Sequence, residues 1–152
     1  MAKSKHDPFF SRSMEHMPIA QAFFHQHWPT HLHPPLRDTL TRVDRTNTHE
    51  KLKKRHKDIT YEAQIASLGP LLANVEQQSQ PDIMMPMRLL QYSVDSLAPY
   101  LREYKQIPLI LNFLLYNGAP SPNPHHTTLQ DYNSPPQWAS QALALRINHK
   151  AL

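Results

Sequence analysis

The sequence predicts an α/β domain with a mixed sheet, and three features of its middle part support that prediction. Residues 58–78 alternate between apolar and polar side chains around Gly69, which is expected to adopt a positive φ in a β-hairpin turn. Residues 82–104 repeat apolar side chains every three or four positions, as an amphipathic helix does. Residues 107–116 are almost continuously apolar, which indicates a strand covered on both faces. Strand, helix and strand in this order predict a parallel pair with a right-handed crossover.

The composition favours a single domain with an anionic partner. The chain has 152 residues, a net charge of +4, no cysteine and only two glycines. The missing cysteines exclude disulfides and cysteine-based zinc sites. Two isolated glycines exclude the P-loop and the dinucleotide-binding loop, so no small-molecule cofactor is expected. No window of about eighteen apolar residues occurs, so we expect a cytoplasmic protein without a membrane span.

The flanking parts of the chain are predicted to be less regular. A helix is expected over residues 18–27, with a shorter one before it and a short strand within 40–45. The tail is rich in proline, histidine and asparagine, and one helix is expected over 136–145. These patterns divide the chain into a core, residues 1–118, and a tail, residues 119–152.

The hairpin register determines which polar side chains meet. A three-residue loop between Ala66 and Pro70 would pair these two residues and place Asp58 opposite Gln78. Glu76 would then be the diagonal neighbour of Asp58 on the same face. A slip of one residue would separate the two acids, because successive side chains point to opposite faces.

Two carboxylates that lie close together repel each other unless a cation lies between them. Mg²⁺, or Mn²⁺ in its place, takes oxygen ligands and keeps several waters, so Asp58, Glu76 and a backbone carbonyl would be enough. A cation in that position stabilises charge on a phosphodiester, and Gln78 could orient the attacking water. The competing interpretation is that both acids are ordinary solvent-facing residues of an amphipathic hairpin.

The long predicted helix contains residues that signal its start and a possible interruption. Asp82 is a plausible cap, Pro86 fits the first turn, and Pro99 is expected to kink or interrupt the helix. The methionines near its start are expected to fill the core. The apolar stripe of the helix consists of Met87, Leu90, Val94, Leu97, Leu101 and Tyr104.

Four segments resemble one known family: HDPFF, KRHKDITY, VEQQSQPDIMMPMRLLQY and IPLILNFLLYNG. They are similar to the recombination-promoting nucleases, also called YhgA-like transposases, over residues 6–145. That family resembles the PD-(D/E)xK nucleases, so the resemblance implies a restriction-endonuclease-like core and a metal-dependent DNA endonuclease linked to recombination or mobile elements. It also implies that Asp58 and Glu76 are the metal-binding acids. Gln78 would stand where the wider superfamily often has lysine.

The chain departs from the family pattern in three places. Gln77 stands where the family usually has a histidine after the acid. Asn117 replaces the histidine of a Tyr-His-Gly triplet that usually follows the last strand. Family members also continue well beyond the position of Leu152 into a helical half. We therefore expect either a short member or a truncated relic, and the alternative function is a catalytically inactive DNA-binding or interaction remnant.

A basic run directly precedes Asp58 and would lie near a bound phosphate backbone; a solvated helical face explains it equally well. The DNA-binding candidates are Lys53, Lys54, Arg55 and Lys57. Asp7 could add a further acid or cap a helix. Histidine pairs two residues apart suggest a zinc protein, although such pairs face apart on a helix; they are His25 with His27 and His31 with His33. A homodimer is left open.

Overall fold

A computed structural model describes residues 8–30, 32, 39–43, 59–66, 69–126 and 128–132 of the chain. Within these ranges the chain forms three α-helices and four strands around one mixed sheet, so the predicted α/β class is confirmed. The elements in chain order are α1 (Pro8–Glu15), α2 (Met17–His27), β1 (Thr41–Arg42), β2 (Ile59–Ile65), β3 (Gly69–Gln78), α3 (Met85–Tyr104) and β4 (Leu109–Tyr116), followed by a 3₁₀ turn at Gln130–Tyr132.

The sheet has the order β1-β2-β3-β4. The first two pairings are antiparallel, and β3 pairs with β4 in parallel, with α3 as the connection between them. The expected strand, helix and parallel strand are therefore present. The helix expected over 136–145 lies outside the described residues, and the division of the chain at residue 118 stays a prediction.

The hairpin register differs from the expected one by two residues. Ile65 pairs with Gly69 and Ile59 pairs with Val75, whereas the sequence suggested a closing pair of Ala66 and Pro70. The backbone N–H of Gln64 donates to Thr39 Oγ1 at 2.9 Å, so it points away from β3, and Pro70 lies opposite it. Proline thus occupies a position where no N–H toward β2 is needed.

Because the shift is even, it leaves every side chain on its expected face of the sheet. Gly69 takes the expected positive φ, 84°, but as the first residue of β3. Glycine adopts this conformation without the strain that a Cβ would cause. The loop keeps its predicted length of three residues and starts one residue earlier.

One face of the sheet packs against α1 and α2 and is dry. Phe24 of α2 lies at its centre, with ring centroids 5.2 Å from Tyr61 and 5.3 Å from Phe113. The Tyr61 hydroxyl donates to the Met14 carbonyl, which satisfies the phenol inside this core. The other buried apolar side chains of this face are Ala20, Leu40, Ile59, Ala63, Ile65, Leu71, Ala73 and Val75.

The opposite face lies under α3 and carries a chain of polar side chains across three strands. Thr60 Oγ1 donates to Asn74 Oδ1 at 2.7 Å, and Asn74 Nδ2 donates to Asn112 Oδ1 at 3.0 Å. Asn112 Nδ2 continues to Ser93 Oγ of α3 at 2.8 Å. These contacts link β2, β3, β4 and α3 through side chains alone.

The helix α3 differs from the sequence prediction at two points: it is not interrupted at Pro99, and Asp82 is not its N-cap. Pro99 lies inside it without ending it, and the helix closes at Lys105, which has a φ of 57° and donates its N–H to the Leu101 carbonyl. Asp82 is not the N-cap: that position is Met84, whose own N–H donates to Asp82 Oδ1 at 2.8 Å. Pro86 lies in the first turn as expected.

The apolar stripe of α3 is largely exposed in the part of the chain that the structure describes. Of the three methionines, Met85 is buried, while Met84 and Met87 are about half exposed. The sheet-facing side instead presents polar and aromatic groups such as Tyr92 and Ser93. The exposed members of the stripe are Met87, Leu90, Val94, Leu101 and Tyr104. Apolar periodicity predicts that a helix forms, but it does not determine which face meets the sheet.

The strand β4 also differs from its expectation. It is a strand, but none of its side chains is fully buried, and among the described residues it pairs on one edge only. The continuous apolar run predicted that other elements would cover both faces of β4. Among the described residues, its side chains are only partly buried.

Candidate functional site

The carboxyl end of β3 brings polar side chains into a buried position under α3. Glu76 and Gln78 are 3% and 4% exposed. They are two residues apart on one strand, so both point to the same face, with Cα atoms about 7 Å apart. A sequence that alternates Leu72, Asn74, Glu76 and Gln78 on one face folds in this way because Leu71, Ala73 and Val75 fill the opposite core. The pair is therefore held by the dry face behind it.

Arg88 of α3 is the cationic partner of Glu76. Its Nη2 lies 3.2 Å from Glu76 Oε1, and its Nη1 lies 2.8 Å from Asp82 Oδ2. Nε and Nη2 also donate to the Tyr92 hydroxyl at 3.1 and 2.9 Å. The guanidinium thus bridges two carboxylates from the end of β3 and the segment after it.

These contacts keep Arg88 charged. Burial by itself lowers the pKa of Arg88, but the hydrogen bond to Asp82, followed by those to Tyr92 and the charge of Glu76, raises that pKa above its ordinary value. A buried carboxylate requires a positive group or hydrogen-bond donors around it. In this structure Arg88 supplies that charge to Glu76.

Gln78 has an unsatisfied atom. Its Oε1 is buried and has no hydrogen-bond partner among the described residues. A buried amide oxygen without a partner costs about 1–3 kcal/mol of folding free energy. Such an atom next to a buried carboxylate provides two oxygen donors of the kind that Mg²⁺ binds.

The carboxyl end of β3 is hydrogen-bonded to the residue that follows β4, beside Glu76 and Gln78. The Asn117 N–H donates to the Gln78 carbonyl at 3.0 Å, and Gln77 Nε2 donates to Asn117 Oδ1 at 2.7 Å. Gly118 follows, and a Cβ there would collide with the Ser79 carbonyl. Gln77 and Asn117, two of the departures from the family pattern, are therefore in direct contact.

The remaining predicted site residues lie outside the described residues. Asp58 and Asp7 are among them, as is the basic run, Lys53, Lys54, Arg55 and Lys57. The first described residue of β2 is Ile59, which pairs with Val75, the residue before Glu76. The expected pairing register at this end is wrong by two residues, as described above.

No group of three or more histidine, aspartate or glutamate side chains with metal-binding geometry occurs in the part of the chain that the structure describes. Of the histidines proposed for zinc, His25 and His27 are exposed on α2, and His31 and His33 lie outside the described residues. The described residues thus add no support to the zinc interpretation.

Sequence reasoning missed the partners of Glu76. Arg88 contacts the carboxylate, and Asp82 and Tyr92 contact Arg88, yet the sequence predicted only a helix-cap role for Asp82. A signal was present, because Arg88 and Tyr92 are four residues apart and therefore share one face of a helix.

A groove lies near the carboxyl end of α3, away from Glu76 and Gln78. Its volume is about 610 Å³, it is close to the hairpin turn, and Glu62, Tyr100 and Tyr104 are among its lining residues. The Tyr100 hydroxyl donates to Glu62 Oε2 at 3.1 Å. Neither Glu76 nor Gln78 lines this groove, so it is separate from the candidate site.

Comparison with known proteins adds a family match. The model of a family described as "Putative transposase, YhgA-like" matches residues 4–148. The recombination-promoting nuclease RpnC of Escherichia coli K12 is 30% identical over 122 residues, which cover 78% of this chain and 41% of that relative. RpnD of Escherichia coli O157:H7, a protein of the same description, is 30% identical over 78% of this chain and 47% of its own length.

A third relative carries a different description. The "inactive recombination-promoting nuclease-like protein RpnE" of Escherichia coli K12 is 27% identical over 91% of this chain and 47% of its own length. The chain thus spans less than half the length of these three relatives. No solved structure matches the chain. Among the described residues, none of the helices is both long enough and apolar enough to cross a membrane.

Proposed function

The chain belongs to the YhgA-like transposase family, and from that premise we propose that it is a restriction-endonuclease-like domain that binds DNA and hydrolyses its phosphodiester bonds with Mg²⁺ or Mn²⁺. The mixed sheet with a hairpin and a connecting helix is consistent with such a core. The names of RpnC and RpnD support a nuclease acting in recombination. A cytoplasmic location is part of the same proposal.

One observation carries the proposal: at the end of β3, a buried carboxylate lies two residues from a buried amide oxygen on the same face, and that oxygen has no hydrogen-bond partner among the described residues. Structural roles rarely leave such an oxygen without a donor, because the lost hydrogen bond destabilises the fold. A site that receives a cation or a water gives Gln78 Oε1 a partner. Glu76 and Gln78 together therefore fit a hydrated divalent cation better than they fit a core.

The second acid of the proposed site is Asp58. It directly precedes Ile59 in the sequence, and Ile59 is paired with Val75, which directly precedes Glu76. The residues that follow a pair at the open end of a hairpin are expected near each other. Oxygen donors from an aspartate, a glutamate and an amide match the preference of Mg²⁺ and Mn²⁺.

When bound, such a cation supplies Lewis-acid stabilisation of the charge on the phosphodiester and a water of lowered pKa. The protein's own groups do the rest. Glu76 is fixed by the paired strands, and Gln78 Oε1 can accept a hydrogen bond from the attacking water and orient it toward phosphorus. The basic run, Lys53, Lys54, Arg55 and Lys57, would contact the phosphate backbone and bring the bond to the site.

The test is digestion of plasmid DNA by the purified chain with Mg²⁺, with Mn²⁺ and with EDTA. Glu76→Gln and Asp58→Asn are expected to lower the cutting rate roughly a hundredfold or more, as expected when electrostatic stabilisation of the transition state is removed. The matched control is Glu103→Gln, an exposed acid on α3 that does not contact Glu76. Equal cutting by all variants, or cutting that persists in EDTA, contradicts the proposal.

A second candidate is a DNA-binding remnant without activity. It is favoured by the Arg88 contact, which already neutralises Glu76, and by the inactive relative RpnE. This candidate predicts DNA binding that weakens as salt rises and no cutting with any metal. Gel-shift measurements over a salt series, run beside the plasmid digestion, separate the two candidates.

A further inference from the structure

The guanidinium of Arg88 is the one part of the candidate site whose role the proposed chemistry does not explain. Its three nitrogens all donate within the site, to Asp82, Tyr92 and Glu76, so these protein contacts account for its position. It lies where a cation on Glu76 would meet a second positive charge. From this position, the charge of Arg88 can influence the affinity of the site for a metal ion.

The contacts of Arg88 are unequal. It lies 2.8 Å from Asp82 and 2.9 Å from the Tyr92 hydroxyl, but 3.2 Å from Glu76. Asp82 is itself held, because its Oδ1 accepts the Met84 N–H at 2.8 Å at the start of α3. Asp82 and Tyr92 therefore anchor the guanidinium, and the contact to Glu76 is the one that can be given up without moving the arginine.

We infer that Arg88 is a positioning residue: it neutralises and orients the Glu76 carboxylate before metal binds, and it keeps the metal affinity of the free protein low. Asp82 holds Arg88 in that position and offsets its charge. This inference rests on the proposed function, because it requires that Glu76 is a metal ligand. It assigns no contact with DNA or with the reacting atoms to Arg88.

The physical basis is electrostatic exchange. A buried carboxylate without a positive partner is unfavourable, so the metal-free site needs Arg88. A divalent cation on Glu76 is repelled by the same guanidinium a few ångströms away, so occupancy must be supported by Asp58 and by the phosphates of bound DNA. The arrangement couples metal binding to the presence of substrate.

The experiment measures Mn²⁺ binding to the chain without DNA, by titration calorimetry and by thermal melts in EDTA and in Mn²⁺. Arg88→Gln is expected to melt lower in EDTA, to gain more stability from Mn²⁺, and to bind Mn²⁺ roughly tenfold more tightly. A purely structural arginine would lower both melts alike and leave the affinity unchanged. Arg102→Gln, near the other end of α3, is the control for the loss of one positive charge.

Two further variants sharpen the result. Asp82→Asn removes the anchor and should weaken Mn²⁺ binding severalfold, because the full charge of Arg88 then acts on Glu76; Asp95→Asn on α3 is its control. Arg88→Lys keeps the charge and should bind Mn²⁺ as weakly as the parent chain. If Arg88→Gln binds with the parent affinity, or if Arg88→Lys matches Arg88→Gln, the inference is wrong.

Failure of the proposed function gives a different result. Glu76→Gln should abolish Mn²⁺ binding in both the parent and the Arg88→Gln background. If the parent binds Mn²⁺, Glu76→Gln abolishes binding and Arg88→Gln changes nothing, then only the role of Arg88 is overturned. If neither the parent nor Arg88→Gln binds Mn²⁺, the metal site itself is wrong, and the role of Arg88 falls with it.

Discussion

The two faces of the central sheet bury different kinds of side chain, although the same strands supply both. Toward α1 and α2, β3 presents Leu71, Ala73 and Val75 to an aromatic core. Toward α3, the alternate residues Asn74, Glu76 and Gln78 are just as buried but polar or charged. Apart from the Tyr61 hydroxyl, the dry face needs no hydrogen-bond partners, whereas a group buried on the polar face costs folding free energy unless it has one. The apolar face thus supports the strand on which the candidate site lies.

The largest effect is expected from removing the aromatic side chain at the centre of the dry face, because that face supports both sides of the sheet. Phe24→Ala deletes a ring that is 3% exposed and contacts Tyr61 and Phe113. We expect a loss of about 3–5 kcal/mol in the free energy of unfolding, from lost burial and the cavity left behind. Denaturant unfolding measures it, with Phe9→Ala, 77% exposed on α1, as the matched control. Similar losses in the two variants would show that Phe24 is not a core residue.

A smaller effect is expected from the polar face. Asn74→Leu removes the acceptor of the Thr60 hydroxyl, which is itself buried, and we expect it to cost about 1–2 kcal/mol although it adds apolar surface. Adding Thr60→Val should recover part of this loss, because the hydroxyl that donates to Asn74 in the parent is then removed as well. Unfolding of the single and double variants forms a double-mutant cycle. Strictly additive losses would mean that the hydrogen bond contributes nothing.

The smallest effect concerns the polar group that the dry face contains. Burial raises the pKa of Tyr61 from 10.0 to about 12, and Tyr61→Phe should cost about 1 kcal/mol through the lost bond to the Met14 carbonyl. The folded state prefers the neutral phenol. The contribution of Tyr61 to the free energy of unfolding is therefore complete below pH 10 and is lost as pH rises from 10 to about 12.

The pH profile of stability checks this prediction against a second tyrosine. Burial, with the charge of Glu62, also raises the pKa of Tyr100 to about 12. The Tyr61→Phe variant therefore still loses stability at alkaline pH through the ionisation of Tyr100. Tyr61→Phe should therefore flatten the profile only in part. A profile identical to that of the parent would place the ionisation of Tyr61 outside the folding equilibrium.

The shared face of Glu76 and Gln78 was predictable from the sequence, whereas the counter-charge of Glu76 was not; Asp58 lies outside the described residues. The alternation of β3 places Glu76 and Gln78 on one face whatever the register, because they are two residues apart on the same strand. Arg88 could not be assigned in the same way, because α3 has both an apolar stripe and a polar face, and only packing decides which of them meets the sheet. The structure turned the stripe outward and brought Arg88 and Tyr92 inward.

The sequence by itself determined the elements and the side of the sheet on which each strand residue lies, because periods of two and 3.6 residues are local properties of the backbone. Tertiary structure alone decided the hairpin register, the orientation of α3 and the pairing of Glu76 with Arg88. These depend on where Pro70 can be placed without a lost hydrogen bond and on which helix face satisfies the buried polar side chains beneath it.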